Sequence, residues 1–217
     1  MRIKILLSGL LLSMALPMAV HAQEIRIIPF YGYTIQDRVP YYEGDVYIRD
    51  ASQYGGILQF MPNDMSAISF MYKYSQPEMD LKSYVYYIDN AEDVKTDLSY
   101  YMFGFTKFMN GSDERVSPFG SFLIGWSTWK PEGYDTYSRF SLGFDLGVSV
   151  GLTERIGLNL RTELMMPVQS TGAGVYCGTG GCGGSVSTYS SVTQLGFTGG
   201  IEIRLAPKES SSNSYTY

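Results

Sequence analysis

The sequence predicts an all-β chain, an eight-stranded antiparallel up-and-down transmembrane β-barrel, on three observations. Large apolar residues alternate with small or charged ones at period two in segment after segment. Beyond the N-terminal leader there is no sustained helical stripe and no apolar run long enough for a membrane helix. The connections between segments alternate between long and short, so the long ones gather at one end of a meander.

The leader comes first. Arg2 and Lys4 form a positive start, Ile5 to Val20 is apolar, and Val20-His21-Ala22 places small residues at a processing-type site. Ser8, Gly9, Ser13 and Pro17 interrupt the apolar run, which argues against a retained anchor. Residues 1–22 are therefore expected to be a cleaved signal peptide, 23–207 a barrel, and 208–217 a polar disordered tail. Cleavage would discard His21, the single histidine of the chain. A chain starting at Gln23 then lacks the base of Ser-His-Asp and Cys-His sites and the commonest metal ligand, so no enzyme, cofactor or metal site is expected. The formal net charge of -5, without any Lys/Arg cluster, gives no footprint for nucleic acid.

The clearest strand runs from Arg139 to Gly151: Phe140, Leu142, Phe144, Leu146, Val148 and Val150 oppose Ser141, Gly143, Asp145, Gly147, Ser149 and Gly151. The pattern repeats at 156–166, where Leu158, Leu160, Thr162 and Leu164 oppose Gly157, Asn159, Arg161 and Glu163. It repeats again at 193–205, where Leu195, Phe197, Ile201, Ile203 and Leu205 oppose Gln194, Gly196, Thr198, Gly200, Glu202 and Arg204. Weaker alternation marks 24–35, 53–61, 66–75, 98–108 and 117–128; at 98–108 large residues fall on both faces and the phase is ambiguous. Short turns rich in Asn, Asp, Gly and Pro follow the second, fourth and sixth strands, such as Pro62-Asn63-Asp64 and Leu152-Thr153-Glu154-Arg155. Long segments, roughly 36–51, 76–97, 129–138 and 167–190, follow the others.

The two faces are assigned by their charge. A soluble barrel would carry a densely charged exterior, but the non-apolar face here is about half glycine and serine. That face suits a narrow interior of small residues with a few long polar ones, and the Leu, Ile, Val and Phe face suits lipid. Tyr31, Tyr33, Tyr72, Tyr74, Trp126 and Trp129 fall near the loop-side ends of their strands, where an aromatic girdle belongs.

The leader, the eight alternating strands and the Gly143-Phe144-Asp145-Leu146-Gly147 type of strand resemble the small outer-membrane β-barrel family, which includes the transmembrane domain of outer membrane protein A and outer membrane protein W. The resemblance spans nearly all of 23–205 and carries no catalytic signature. It implies residence in the outer membrane of a Gram-negative-type envelope, contact with outer-membrane lipid, folding by the barrel-assembly machinery and a monomeric state. One departure is the polar run from Lys208 to Tyr217 after Leu205, where such proteins often end on the last strand.

The alternation puts Arg26, Lys73, Asp145, Arg161, Glu163, Glu202 and Arg204 inside the barrel, where they are expected to pair with one another. Two readings remain open: a salt-bridged plug, or a polar path for ions or small solutes. In the loop from 167 to 190, Cys177-Gly-Thr-Gly-Gly-Cys182 is expected to close a small disulfide ring in an exported chain. Tyr41, Tyr42, Glu43, Asp45 and Tyr47 in the first long loop, and Tyr84, Tyr86, Tyr87, Asp89, Glu92 and Asp93 in the second, make tyrosine-rich acidic surfaces suited to an extracellular ligand. The expected role is structural or adhesin-like, with a narrow pore or small-solute conduit as the alternative.

Overall fold

A computed structural model describes residues 24–36, 38–41, 44–83, 91–110, 115–178, 181–191 and 193–205; for 38–41, 44–45, 81, 83, 169–178 and 181–191 it describes the backbone alone. The expected signal peptide and polar tail, with Tyr42, Glu43, Tyr84, Tyr86, Tyr87 and Asp89, lie outside the described residues, as do the side chains of Tyr41, Asp45, Cys177 and Cys182.

Eight strands close into a ring: β1 (Glu24–Ile35), β4 (Ala51–Asn63), β5 (Ser66–Ser75), β7 (Ala91–Phe108), β8 (Val116–Pro131), β9 (Tyr137–Gly151), β10 (Ile156–Gly178) and β12 (Gln194–Arg204). Each pairs antiparallel with the next, and β12 returns to β1. Closure leaves the ring without an edge, which a sheet in hydrocarbon requires because no water is present to satisfy free N–H and C=O groups. The eight barrel strands are those read from the alternation.

The long connections carry structure of their own. On the loop side, β2 (Arg38–Tyr41), β3 (Gly44–Ile48), β6 (Glu78–Ser83) and the start of β7 form a small antiparallel sheet. Another hairpin extends β10 against β11 (Gly181–Ser191). At the opposite end the turns are tight and capped by side chains: Asn63 Oδ1 accepts from the Met65 amide at 3.0 Å, and Thr153 Oγ1 from the Ile156 amide at 2.9 Å.

The outward face is an apolar band. Ile27, Phe70, Phe103, Phe105, Phe122, Ile124, Phe144, Leu146, Leu158, Leu160, Ile201 and Ile203 all point outward and are exposed. Cross-strand aromatic rows run around the loop-side half: Tyr31 opposite Tyr54 opposite Tyr74, and Tyr72 opposite Tyr101 opposite Trp126 opposite Phe140. Ring centroids of 5.3 Å for Tyr54–Tyr74 and 5.2 Å for Tyr72–Tyr101 make this a contacting girdle.

Trp129 corrects one expectation. Trp126 is 61% exposed in the girdle, but Trp129 is 3% exposed and faces inward. Three residues apart on a strand means opposite faces, so the two tryptophans could not share the girdle. Trp129 instead donates its indole N–H to Ser127 Oγ at 3.1 Å and stacks on Tyr137.

The interior is also fuller than expected. Beside its small and charged residues it buries Ile28, Phe30, Ile57, Met71, Leu98, Tyr100, Met102, Leu123 and Met165 in one cluster, and Met61, Ala67, Phe108 and Phe119 in a second. This settles the ambiguous strand: Leu98, Tyr100, Met102 and Phe108 point in, while Tyr101, Phe103 and Phe105 point out. Bulk fits inside because glycines face it. A Cβ on Gly147 would lie 2.5 Å from the Phe119 ring, and one on Gly55 would lie 2.8 Å from the Phe30 ring. Ile48, Val46 and Met79 from the loop-side sheet join the first cluster beside Leu98 and Trp129.

If the outward assignment is right, lipids with brominated chains should quench the fluorescence contributed by Trp126 and leave that of Trp129 nearly unchanged. The Trp126→Phe variant should therefore lose most of its quenching; retained quenching would place Trp129 in lipid.

Candidate functional site: the charged interior

All seven charged residues expected inside are there, and an eighth joins them. Glu24 begins β1 on the same face as Arg26 and is 6% exposed, so among the described residues the interior carries four acids and four bases. Its position at the first residue of the strand hid it from a pattern reading, although the alternation already placed it on the inner face.

The charges fall into three groups along the axis. At the short-turn end, Glu24 and Arg26 of β1 meet Glu202 and Arg204 of β12. Arg26 binds Glu24 at 2.8 Å and Glu202 at 2.8 Å, while Arg204 lies 3.0 Å from Glu202 and 3.6 Å from Glu24. Ser149 donates to Glu202 Oε2 at 2.6 Å, and the Arg26 guanidinium lies over the Phe108 ring. Arg26 and Arg204 are directly opposite in register, an arrangement that would repel without the two glutamates interleaved between them.

This tetrad bridges the seam between the first and last strands beside an interruption in the ladder. Pairing of β1 with β12 runs through Arg26–Arg204 and Ile27–Ile203 and resumes at Phe30–Gly200. Pro29, which has no N–H to donate, lies in the gap. Side-chain ion pairs thus hold the strands together beside a break in their backbone hydrogen bonding.

The middle group is Asp145 of β9 with Arg161 of β10. Arg161 Nη1 donates to Asp145 Oδ2 at 2.8 Å, and its other nitrogens donate to Asn159 Oδ1 at 3.4 and 3.2 Å. The guanidinium also lies over the Phe119 ring, 5.1 Å from its centroid.

In the upper group, Lys73 of β5 donates to Glu163 Oε1 at 2.9 Å, and Gln53 of β4 donates to the same oxygen at 2.6 Å. Thr34 donates to Gln53 in turn. The Lys73 ammonium sits 4.7 Å from the centroid of the buried Tyr100 ring, whose hydroxyl donates to Gln194 at 2.7 Å. Gly196 gives this group its room: a Cβ there would meet Glu163 Oε1 and Gln53 Nε2, both at 2.7 Å.

Asp145 and Glu163 face each other across β9 and β10. Two carboxylates so placed repel, and each is paired with its own base, Asp145 with Arg161 and Glu163 with Lys73. Asp145 Oδ1 and Glu163 Oε2 have no hydrogen-bond partner among the described residues.

Apolar clusters fill the rest of the interior, with Ile28, Ile57, Met71, Met102, Leu123 and Met165 fully buried. Charge pairs alternating with packed hydrocarbon give the interior the chemistry of a protein core. Among the described residues no group of three or more His, Cys, Asp or Glu side chains could hold a metal ion.

The loop-side sheet has its own ion cluster. Arg49 lies 3.0 Å from Glu78, 2.9 Å from Asp80 and 2.7 Å from Asp93. The Asp93 amide donates to Asp80 at 2.9 Å, and with Arg49 it holds the Asp80 carboxyl below the ordinary aspartate value. The carboxylates in turn raise the Arg49 pKa, chiefly through the hydrogen bond to Asp80. Asp93 adopts φ 56°, a left-handed conformation that Asp tolerates better than most residues. Tyr47 is exposed on this sheet with the Lys82 ammonium 5.1 Å from its ring centroid.

Replacing Arg161 with Ala should destabilise the barrel by about 3–5 kcal/mol, because Asp145 would stay buried without its cation. Urea unfolding from detergent micelles measures this, and the Arg161→Ala/Asp145→Ala double variant should recover part of the loss. Unchanged stability in the single variant would mean that the pair contributes nothing.

No protein-family model matches this sequence. No curated protein matches it either. Among solved structures, the chain is similar to the outer membrane protein OprG from Pseudomonas aeruginosa, with a TM-score of 0.61, 11% identity, and coverage of 85% of this chain and 97% of that one. It is also similar to neisserial surface protein A, with a TM-score of 0.54, 12% identity, and coverage of 82% of this chain and 96% of that one. The closed antiparallel ring, its lipid-type outer band and these similarities agree: the chain has the fold of the small eight-stranded outer-membrane β-barrels.

Proposed function

We propose that this outer-membrane barrel acts through its outward loop-side surface, as an envelope or adhesin-like protein, and that its lumen does not conduct. The observation that carries this reading is the filled interior. Every charged side chain described inside the ring has an opposite charge within 3.6 Å, and buried apolar side chains fill the space around the groups, with Phe108 and Phe119 between the Glu24–Arg26–Glu202–Arg204 tetrad and the Asp145–Arg161 pair. An ion entering such a lumen would have to break buried pairs and shed its water among methionines and leucines. The loop side, in contrast, projects a separate sheet and a hairpin, with Tyr47, Tyr134 and Asp93 exposed. Tyrosine and ionic groups on a rigid sheet supply adaptable contacts for an extracellular ligand.

In planar bilayers the purified barrel should give no stepwise conductance; regular unitary steps would favour the conduit. Cells carrying the intact chain should attach to an array of immobilised glycans and matrix proteins better than cells whose 38–48 and 78–94 segments are replaced by short turns. Equal attachment would remove the adhesin-like part of the proposal.

In the same proposal the chain is monomeric in outer-membrane lipid, is folded by the barrel-assembly machinery, and is crosslinked near the tip of the β10–β11 hairpin. Cys177 and Cys182 are direct register partners across β10 and β11, and opposed residues on antiparallel strands have the Cα spacing a disulfide needs. Reduction should raise the intact mass by about 2 Da; an unchanged mass would mean that the thiols are unpaired.

A further inference from the structure

One part of the outer band is not filled by its own side chains. Two register rows cross β1, β12, β10 and β9. The first is Tyr33 opposite Phe197, Phe197 opposite Thr162 and Thr162 opposite Leu146; the second is Tyr31 opposite Gly199, Gly199 opposite Leu160 and Leu160 opposite Val148. Large residues stand at both sides, but Gly199 and Thr162 sit diagonally in the centre. The result is an open groove of ≈ 680 Å³.

We propose that this groove seats one acyl chain of a membrane lipid, held longer than the lipid around the rest of the barrel. The inference rests on the outward face being the lipid face. Three observations point to this occupant. Gly199 is the middle residue of β12 and lies directly opposite Tyr31 of the girdle, so the groove runs from the girdle into the hydrocarbon band. The outward residues above and below it, Leu195 and Leu164 on one side and Ile201 and Leu158 on the other, are apolar, so whatever enters comes from the bilayer. Its outward walls are aromatic and aliphatic, with the Thr162 hydroxyl as a small polar point, and make dispersion contacts along a chain; Arg161 and Thr198, which also border the groove, are buried inner-face residues, and Arg161 is neutralised by Asp145.

Two other outward glycines have different surroundings. Gly120 lies under Leu146, with a Cβ there 3.5 Å from its Cδ2, and Gly56 is flanked by Leu58 on its own strand. At Gly199 an added Cβ would meet only Leu160 Cδ2, at 3.6 Å, an ordinary contact. A large side chain can therefore be introduced there to occupy the groove without forcing the backbone apart.

The test uses the full chain in phosphatidylethanolamine/phosphatidylglycerol vesicles that contain phosphatidylethanolamine with a photoactivatable diazirine in its acyl chain. After illumination, mass spectrometry compares labelling of the 158–164 and 195–201 segments with that of 68–74 and 122–126. Several-fold enrichment on the first two is expected, falling to the level of the others in Gly199→Phe and persisting in Gly56→Phe. Uniform labelling, or enrichment that survives Gly199→Phe, would overturn the proposal. β-Sheet circular dichroism of each variant confirms that it has folded. Absence of label from all four segments would instead contradict the lipid assignment of the outer face.

Discussion

Closure of the sheet is the constraint on which the rest of this structure depends. In hydrocarbon an unpaired strand edge leaves a row of amide and carbonyl groups without partners, each costing several kcal/mol. Eight strands, with β12 returned to β1, remove the edges. That closure also fixes the width of the interior, and width then decides what the inward side chains can be. A narrow ring has no room for an aqueous channel lined by large residues on every strand. Its centre must be filled or it will hold voids, and what fills it here is a mixture of methionine, leucine, aromatic rings and charge.

Charge inside a low-dielectric ring is tolerated only when paired, and the pairings reach between strands distant in sequence. Lys73 and Glu163 join β5 to β10, on opposite sides of the ring order, while Glu24, Arg26, Glu202 and Arg204 join the first strand to the last. Such pairs form only when the register is right, so they select one arrangement among those the alternation alone would allow. Burial makes them a weak source of net stability but makes an unpaired alternative costly. The tetrad beside Pro29 shows the consequence most directly, because it spans the seam where backbone pairing is interrupted.

Strands 139–151, 156–166 and 193–205 were legible in the sequence because their inward positions are glycine, serine or charged and their outward positions are large. Tyr100 to Phe108 was ambiguous because filling the barrel requires large residues inside as well as out, and periodicity cannot tell Met102 from Phe103. Trp129 was misplaced for a related reason: proximity to the strand end was given more weight than its parity relative to Trp126. The set of interior charges could be read, apart from Glu24, but its partners could not. Which acid meets which base depends on strand stagger, and stagger is a property of the closed ring that no single strand encodes. The loop-side strands β2, β3 and β6 were hidden among tyrosines and acids, whose pattern reads as an exposed connection.

Gel mobility separates a closed, lipid-embedded ring from a soluble one. Protein taken from the outer-membrane fraction should run faster before boiling in detergent than after, because a closed paired barrel resists the detergent and stays compact. A single mobility with and without boiling, together with recovery in the soluble periplasmic fraction, would contradict it and mean that the apolar face belongs inside.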